Sequence, residues 1–240
     1  MARRIFLGHK KPQHYRGLLI RADLGLHAQI ADQLACHLPV GSRVLDLGPG
    51  QGALSARLAD MGYQVTAADV DVDDFKGTEQ IAFVPLNFDH AEEIEAFVAS
   101  HTESFDAVCG IEVIEHLEDQ WRYVRHLKAM LKPGGIMILT TPNVTSWLSR
   151  LIFLFRGRFH QFADADLAYG HIAPVTAFEL GLILEREGMQ RLAMLPAGTL
   201  PPLYLSGLRM ALVSLGALLL RPFQSGLLDG WCLLVVARKP

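Results

Sequence analysis

VLDLGPGQGAL, residues 44–54, is the stretch on which the reading of this chain turns. An apolar run interrupted only by Asp46 ends in three alternate glycines, Gly48, Gly50 and Gly52. Glycines there permit a tight turn and let a ligand approach bare backbone. The helix that follows presents N–H groups with no partner inside the helix. Asp69 ends the next apolar run, about twenty residues on, where a doubly wound α/β fold sets a carboxylate against ribose hydroxyls. Strand, turn, helix and acid together point to a ligand that contains adenosine.

Working outward, short apolar runs alternate with helical patterns. RVLDLG (43–48), QVTAAD (64–69), IAFVPLN (81–87), FDAVCGI (105–111), IMILTT (136–141), QRLAMLPAG (190–198) and GWCLLVVARK (230–239) read as strands. Helices are expected over 24–38, in GALSARLADMG, AEEIEAFVAS and DQWRYVRHLKAMLKPGG, the last ended by Pro133 and two glycines, and over 176–188. Such alternation implies a doubly wound α/β fold, a mostly parallel sheet with helices on both faces. Residues 1–23 read as a polar arm, 24–240 as one domain, and 199–229 as an apolar insertion within it.

The bulk numbers agree with one domain. The chain has 240 residues, half of them apolar, and a net charge of −3, which excludes the strongly basic footprint of a nucleic-acid binder. Mean hydropathy is +0.23, on the greasy side for a soluble protein. The three cysteines, Cys36, Cys109 and Cys232, fit no zinc spacing and are consistent with a reducing, cytoplasmic setting. The basic N-terminus lacks the apolar core of a signal peptide.

The glycine turn alone does not name the cofactor. Read with Ala53 it also satisfies the loose dinucleotide form G-x-G-x-x-A, so a dehydrogenase is an alternative. Against that, no Tyr-x-x-x-Lys pair occurs for a short-chain proton relay. Asp46 also suits an ammonium group better than a pyrophosphate. VLDLGPGQG, FDAVCGIEVIEHLED and LKAMLKPGGIMILTTPN resemble the motifs of class I S-adenosylmethionine-dependent methyltransferases over roughly residues 24–190. The resemblance implies a Rossmann-like, seven-stranded sheet whose last strand runs antiparallel. It also implies that Asp46 and the Gly48–Gly52 backbone face the methionine end of S-adenosylmethionine. Asp69 then takes the ribose hydroxyls, and Asn87, with Phe88 beside it, contacts adenine. Pro49 stands where the family's usual cysteine would be.

GIEVIEHLED (110–119) then carries the acceptor chemistry. A helical turn beginning near Glu112 would put Glu112, Glu115 and His116 at i, i+3 and i+4, on one face. Stacked carboxylates repel, and a divalent cation such as Mg²⁺ or Mn²⁺ would offset that. The string E-V-x-E-H resembles two metal-using branches of the family, the ubiquinone-biosynthesis O-methyltransferases and the small-RNA 2′-O-methyltransferases. In the latter a further histidine completes the site, and His171 is the counterpart here. A metal there would lower the pKa of an acceptor hydroxyl. Without one, His171 is a candidate base, and Glu118 and Asp119 complement the start of the next helix.

Residues 142–174 follow the fifth strand and therefore border the acceptor. WLSRLIFLF (147–155) and the apolar run within 203–220 are candidates for peripheral membrane contact, a greasy acceptor pocket or ordinary packing. MALVSLGALLL is too short for the ~20 residues of a spanning helix. The expectation is a methyltransferase acting on a small, partly apolar acceptor, at oxygen, with no nucleic-acid partner. The alternatives are an RNA 2′-O-methyltransferase and a non-catalytic cofactor-binding scaffold.

Overall fold

The computed structural model describes residues 5–7, 12–205 and 207–240. Residues 1–4 and 8–11 of the expected arm, and residue 206 of the apolar segment, lie outside the described residues. In chain order the elements are β1 Ile5–Leu7, β2 Gln13–Tyr15, β3 Leu18–Ile20, α1 Leu26–His37, β4 Arg43–Leu47, α2 Ala53–Asp60, β5 Gln64–Asp69 and β6 Ala82–Pro85. There follow α3 Ala91–Ser100, β7 Phe105–Ile111, a 3₁₀ turn Ile114–His116, α4 Gln120–Met130, β8 Leu131–Pro142 and α5 Trp147–Arg156. After a second 3₁₀ turn, Asp166–Tyr169, come α6 Ala177–Arg186, β9 Gln190–Ala197, β10 Leu203–Leu205, α7 Leu208–Leu220, a third 3₁₀ turn Arg221–Phe223, and β11 Cys232–Arg238.

Seven strands make one sheet in the order β6-β5-β4-β7-β8-β11-β9. Strands β4 to β8 run parallel, and β11 lies antiparallel between β8 and β9. This is the expected mostly parallel sheet with an antiparallel last strand. Its strands are apolar on both sides because both faces are covered. On β8, Ile136 and Ile138 enter the core shared with α1, α2 and α5, while Met137 and Leu139 enter the core shared with α3, α4 and α6. The same alternation sends Leu234 and Val236 of β11 one way and Leu233 and Val235 the other. Each such fully buried side chain contributes about 1.5–3 kcal/mol.

Three local expectations need correction. Residues 13–20, read as part of a polar arm, form a two-stranded antiparallel hairpin. It is pinned to α2 by Tyr15 Oη donating to Asp60 at 2.6 Å and by the Arg16–Asp60 ion pair at 2.7 Å. The helix expected to run to Pro133 stops at Met130. Proline disfavours the helical region for the residue before it, and the chain is already extended at Leu131, where it pairs with Phe105 of β7. Finally, no helix carries Glu112. It has φ +55°, in the left-handed region, and the turn that follows spans only Ile114–His116.

Helix starts are fixed locally. Asp119, Ser146 and Thr176 accept the backbone N–H of Arg122, Ser149 and Glu179 at the starts of α4, α5 and α6, each such cap contributing about 1 kcal/mol. Asp119 thus has the plain helix-start role that its position also allowed.

Candidate functional site

A cavity of about 990 Å³ opens at the carboxyl ends of β4, β5 and β7, the place where open α/β sheets bind ligands. Nine of the sequence-predicted site residues line it: Asp46, Gly48, Gly50, Asp69, Asn87 and Phe88 toward one side, Glu112, His116 and His171 toward the other. Pro49, Gly52 and Glu115 do not. Gly52 backs onto the Phe75 ring, where an added Cβ would come within 2.8 Å of Cε2. Glu115 is fully buried behind the wall.

The turn after β4 is built for backbone exposure. Gly48 has φ +68°, and an added Cβ would lie 2.5 Å from Val113 Cγ2, so only glycine fits. Gly50 N–H donates to Asp69 Oδ2 at 3.3 Å, and Asp71 N–H donates to Oδ1 at 3.1 Å. The carboxylate is thereby fixed at the end of β5, facing the cavity. Asp46 is buried and accepts the Ser55 hydroxyl at 2.5 Å. Burial, with Asp69 adding repulsion, pushes its carboxyl up to about 7 against the stabilising Ser55 contact. A cationic group in the cavity would hold it ionised. Asn87 Oδ1 accepts the N–H of Asp89, and Phe88 packs edge-on against Tyr123. A deep cavity with bare glycine backbone, a carboxylate at the β5 end and a buried acid fits an adenosine ligand that carries an ammonium group.

The other side is assembled by the loop before α6. Ile172 N–H and Ala173 N–H donate to the Glu115 carbonyl at 3.1 and 3.0 Å. This lays His171 on His116, ring centroids 4.9 Å apart. Gly170 has φ +81°, and a Cβ there would sit 2.9 Å from His116 Nδ1, so the backbone closes directly on the imidazole. His171 Nδ1 donates to the Gln161 carbonyl at 2.9 Å, which leaves Nε2 as the ring's other nitrogen for a ligand. Burial, with His171 nearby, holds His116 below the usual histidine range.

Glu115, His116 and His171 each offer a ligand atom, all within 4.8 Å of one another. Both Glu115 oxygens are buried without a hydrogen-bond partner. Burial, then the Glu112 charge, pushes its carboxyl well above the ordinary range. An orphaned buried carboxylate close to two imidazoles fits a divalent cation. Glu112 stands outside this trio, because its left-handed backbone breaks the expected i, i+3 stacking. It faces the cavity with Oε1 unpartnered, while Oε2 accepts from Cys232 Sγ at 3.5 Å. Burial, with the Asp23 charge adding, pushes it up to about 7. Glu112 and Gln161 (φ +68°) are non-glycine residues held at positive φ, and both line this site.

Sequence reasoning missed Arg21, His27, Val113, Gln161 and Tyr169 on the cavity wall. His27 had a signal: it lies on the buried stripe of α1 with Leu26, Ile30 and Leu34. Its Nδ1 is buried without a partner, and burial, aided by Arg57, lowers the imidazole to about 4. Arg21, paired with Asp74 at 2.9 Å beside Gly50, had none.

Comparison with known proteins bears on the family and the fold. A family model described as a methyltransferase domain matches residues 19–193. A ubiquinone biosynthesis O-methyltransferase of Xanthomonas oryzae pv. oryzae is 40% identical over 110 residues, 44% of this chain and 45% of that protein. The chain thus spans less than half the length of the curated relatives it matches. Among solved structures, the 1,6-didemethyltoxoflavin-N1-methyltransferase of Burkholderia thailandensis superposes with a TM-score of 0.58 at 17% identity, over 89% of this chain and 78% of that one. A SAM-dependent methyltransferase from Archaeoglobus fulgidus gives 0.56 at 18% identity, over 89% and 94%. At such identities the likeness is one of fold. The family match covers most of the chain, and on it the chain belongs to the class I S-adenosylmethionine-dependent methyltransferases.

Proposed function

We propose that this chain transfers a methyl group from S-adenosylmethionine to an oxygen of a small, partly apolar acceptor. The observation that carries the reading is that one cavity is lined both by Gly48, Gly50 and Asp69 and by Glu112, His116 and His171. The two half-sites therefore face a common space, as a two-substrate transfer requires.

When bound, S-adenosylmethionine supplies a methyl group already activated on a sulfonium. The chain's work is to hold, orient and deprotonate. The Gly48 and Gly50 backbone accepts the close approach of the methionine end, and Asp46 neutralises its ammonium. Asp69 accepts from the ribose hydroxyls, while Asn87 and Phe88 border the adenine. Across the cavity, the imidazole of His116 or His171, or the Glu112 carboxylate, takes the acceptor's hydroxyl proton. The apolar wall of Ile111, Val113 and Leu117 suits an acceptor with hydrophobic surface.

A divalent cation deepens this reading. Glu115, His116 and His171 would hold it, and it would supply Lewis-acid stabilisation of the acceptor's oxygen. With Glu112 outside the trio, the donor set is one carboxylate and two imidazoles. That set suits Mn²⁺, Fe²⁺ or Zn²⁺ better than the all-oxygen preference of Mg²⁺.

The test is incubation of the purified chain with methyl-labelled S-adenosylmethionine and fractionated lysate, followed by mass analysis of the labelled product. Label in a small, solvent-extractable methyl ether is the expected result. Label confined to nuclease-sensitive material would overturn the reading, and so would cofactor binding with no transfer to any fraction.

A further inference from the structure

Helix α7 presents its large side chains outward. Its buried residues are Ser214 and Ala217. Leu208, Leu212, Leu215 and Leu219, at helical spacing, are 79%, 62%, 52% and 75% exposed, and Phe223 just beyond is 87% exposed. A helix that spends its leucines on the core shows the opposite pattern. Helix α5 packs beside α7 and repeats the feature in its C-terminal half. Trp147 and Leu148 point into the core, while Phe153, Leu154 and Phe155 are exposed. Leu151 and Ile152 of α5 and Met210 and Val213 of α7 pack against the same core cluster, so the two outward faces share one side of the molecule. This exceeds the singly scattered apolar residues that need no explanation.

The two helical stretches themselves carry charge of one sign. Residues 147–158 and 207–223 contain Arg150, Arg156, Arg158, Arg209 and Arg221 and no acid, in a chain whose net charge is −3. Arg150 donates to the Thr145 and Ser225 carbonyls, Arg158 pairs with Asp164, and Arg221 pairs with Asp229. Arg156 and Arg209 are exposed and stand outside the ion pairs of the described residues. Helix α7 has 13 residues, about 20 Å of helix, and among the described residues no helix is long and apolar enough to cross a membrane. An outward leucine stripe with a cationic rim on a short helix is the pattern of an element lying in the plane of an interface. A second copy of the chain would bring a second set of these arginines into one two-fold contact, with no acid on either helix to meet them. An anionic lipid surface complements them.

We propose that the α5–α7 face docks on the surface of an anionic lipid bilayer. The α7 leucines and Phe153–Phe155 enter the headgroup–acyl boundary, and Arg156 and Arg209 lie against the phosphates. Gln161 and Tyr169, on the segment that follows α5, line the cavity, so docking brings lipid toward the acceptor side. That consequence alone rests on the proposed reaction.

Co-sedimentation of the full chain with vesicles tests the docking without any measurement of methyl transfer. The probes are phosphatidylcholine vesicles and phosphatidylcholine–phosphatidylglycerol vesicles, at low and raised salt. The wild type is expected to pellet with the anionic vesicles and to be released in part by salt. Leu215→Glu/Leu219→Glu, at positions that already face outward, should bind both vesicle types roughly tenfold or more weakly. Arg156→Gln/Arg209→Gln should lose roughly tenfold on anionic vesicles only. Circular dichroism of each variant confirms folding. The proposal is overturned if the folded wild type does not pellet with anionic vesicles, or if neither double variant changes the binding. It is also overturned if the face instead holds a lipid-independent dimer that Leu215→Glu/Leu219→Glu dissociates while vesicles leave it intact.

Discussion

The imidazoles of His116 and His171 meet edge to face, centroids 4.9 Å apart and planes at 82°, although one closes the turn after β7 and the other lies in the loop before α6. Their meeting is a backbone event, since the Glu115 carbonyl accepts two N–H groups from the residues just after His171. The same turn buries the Glu115 carboxyl behind them with no partner for either oxygen. The trio is therefore held by main-chain hydrogen bonds, whatever occupies its centre.

If a cation belongs there, Mn²⁺ or Zn²⁺ should raise the melting temperature of the purified chain. Saturation at a hundredfold over Kd is worth about 2.7 kcal/mol, roughly 5–10 °C for a domain of this size. Glu115→Gln and His171→Ala should abolish the shift. Because Glu115→Gln keeps the side chain's shape and removes a buried charge that burial and Glu112 both disfavour, it should cost the metal-free protein little. Differential scanning calorimetry with and without metal reads both effects, and no shift with any divalent ion removes the metal from the site.

On the cofactor side, Asp69→Ala should weaken S-adenosylhomocysteine binding by about 1–3 kcal/mol, the range for a lost charge-assisted hydrogen bond. Titration calorimetry measures it directly, and unchanged affinity takes Asp69 out of the site. Gly48→Ala should destabilise the fold itself. The left-handed backbone costs about 1–2 kcal/mol for a residue with a Cβ, and the clash with Val113 adds to that. Val113→Ala in the Gly48→Ala background should recover the steric part and leave the backbone part, which appears as a coupling in a double-mutant cycle by chemical denaturation.

Two buried groups give opposite pH dependence to the stability of the ligand-free chain. The Asp46 carboxyl is raised from 3.8 to about 7. Between those values the folded state holds a proton that the unfolded state has released, so stability falls as pH rises. His27 is lowered from 6.5 to about 4. In that window the unfolded state holds the extra proton, so stability is lost as pH falls. The two slopes, each at most about 1.4 kcal/mol per pH unit, oppose each other, and the raised carboxyls of Glu112 and Glu115 add a background of the Asp46 sign to wild type and variants alike. Relative to wild type, Asp46→Asn should therefore gain stability as pH rises from about 4 to 7. His27→Leu, again relative to wild type, should lose stability as pH rises from about 4 to 6.5. Urea midpoints across this range check both signs, and parallel curves for all three proteins would refute the assignment.

Asn143→Ala should loosen the return from the apolar insertion into β11. Its buried amide donates to the Leu227 and Asp229 carbonyls, each at 2.9 Å, and its oxygen accepts from the N–H and hydroxyl of Thr145. Loss of these contacts should cost about 2–4 kcal/mol, since several buried partners are stranded together. Guanidinium denaturation gives the total. Faster amide exchange confined to residues 224–232 would show that the loss is local.

Much of the fold was legible because its signals are local. The glycine turn at 48–52, Asp69 at a strand end and the double-sided apolar runs of β4, β7, β8 and β11 each state their structure within a few residues. The end of α4 was misread because Leu131–Gly135 pairs laterally with β7 and with the chain after β11, partners that lie far away in sequence. The hairpin at 13–20 was missed for a related reason: its strands are three residues each, and their stability comes from α2.

By itself the sequence determined the doubly wound sheet, the glycine turn after β4 and the residue types available for chemistry, because periodicity and turn preference are properties of neighbouring residues. Only the tertiary structure decided that Glu112 leaves the expected carboxylate stack, that His171 joins Glu115 and His116, and that the leucines of α7 face outward. Each of these depends on a backbone angle or a hydrogen bond fixed by segments distant in the chain. Which side of a helix is buried, and which side chains converge, is settled by the packing of the whole.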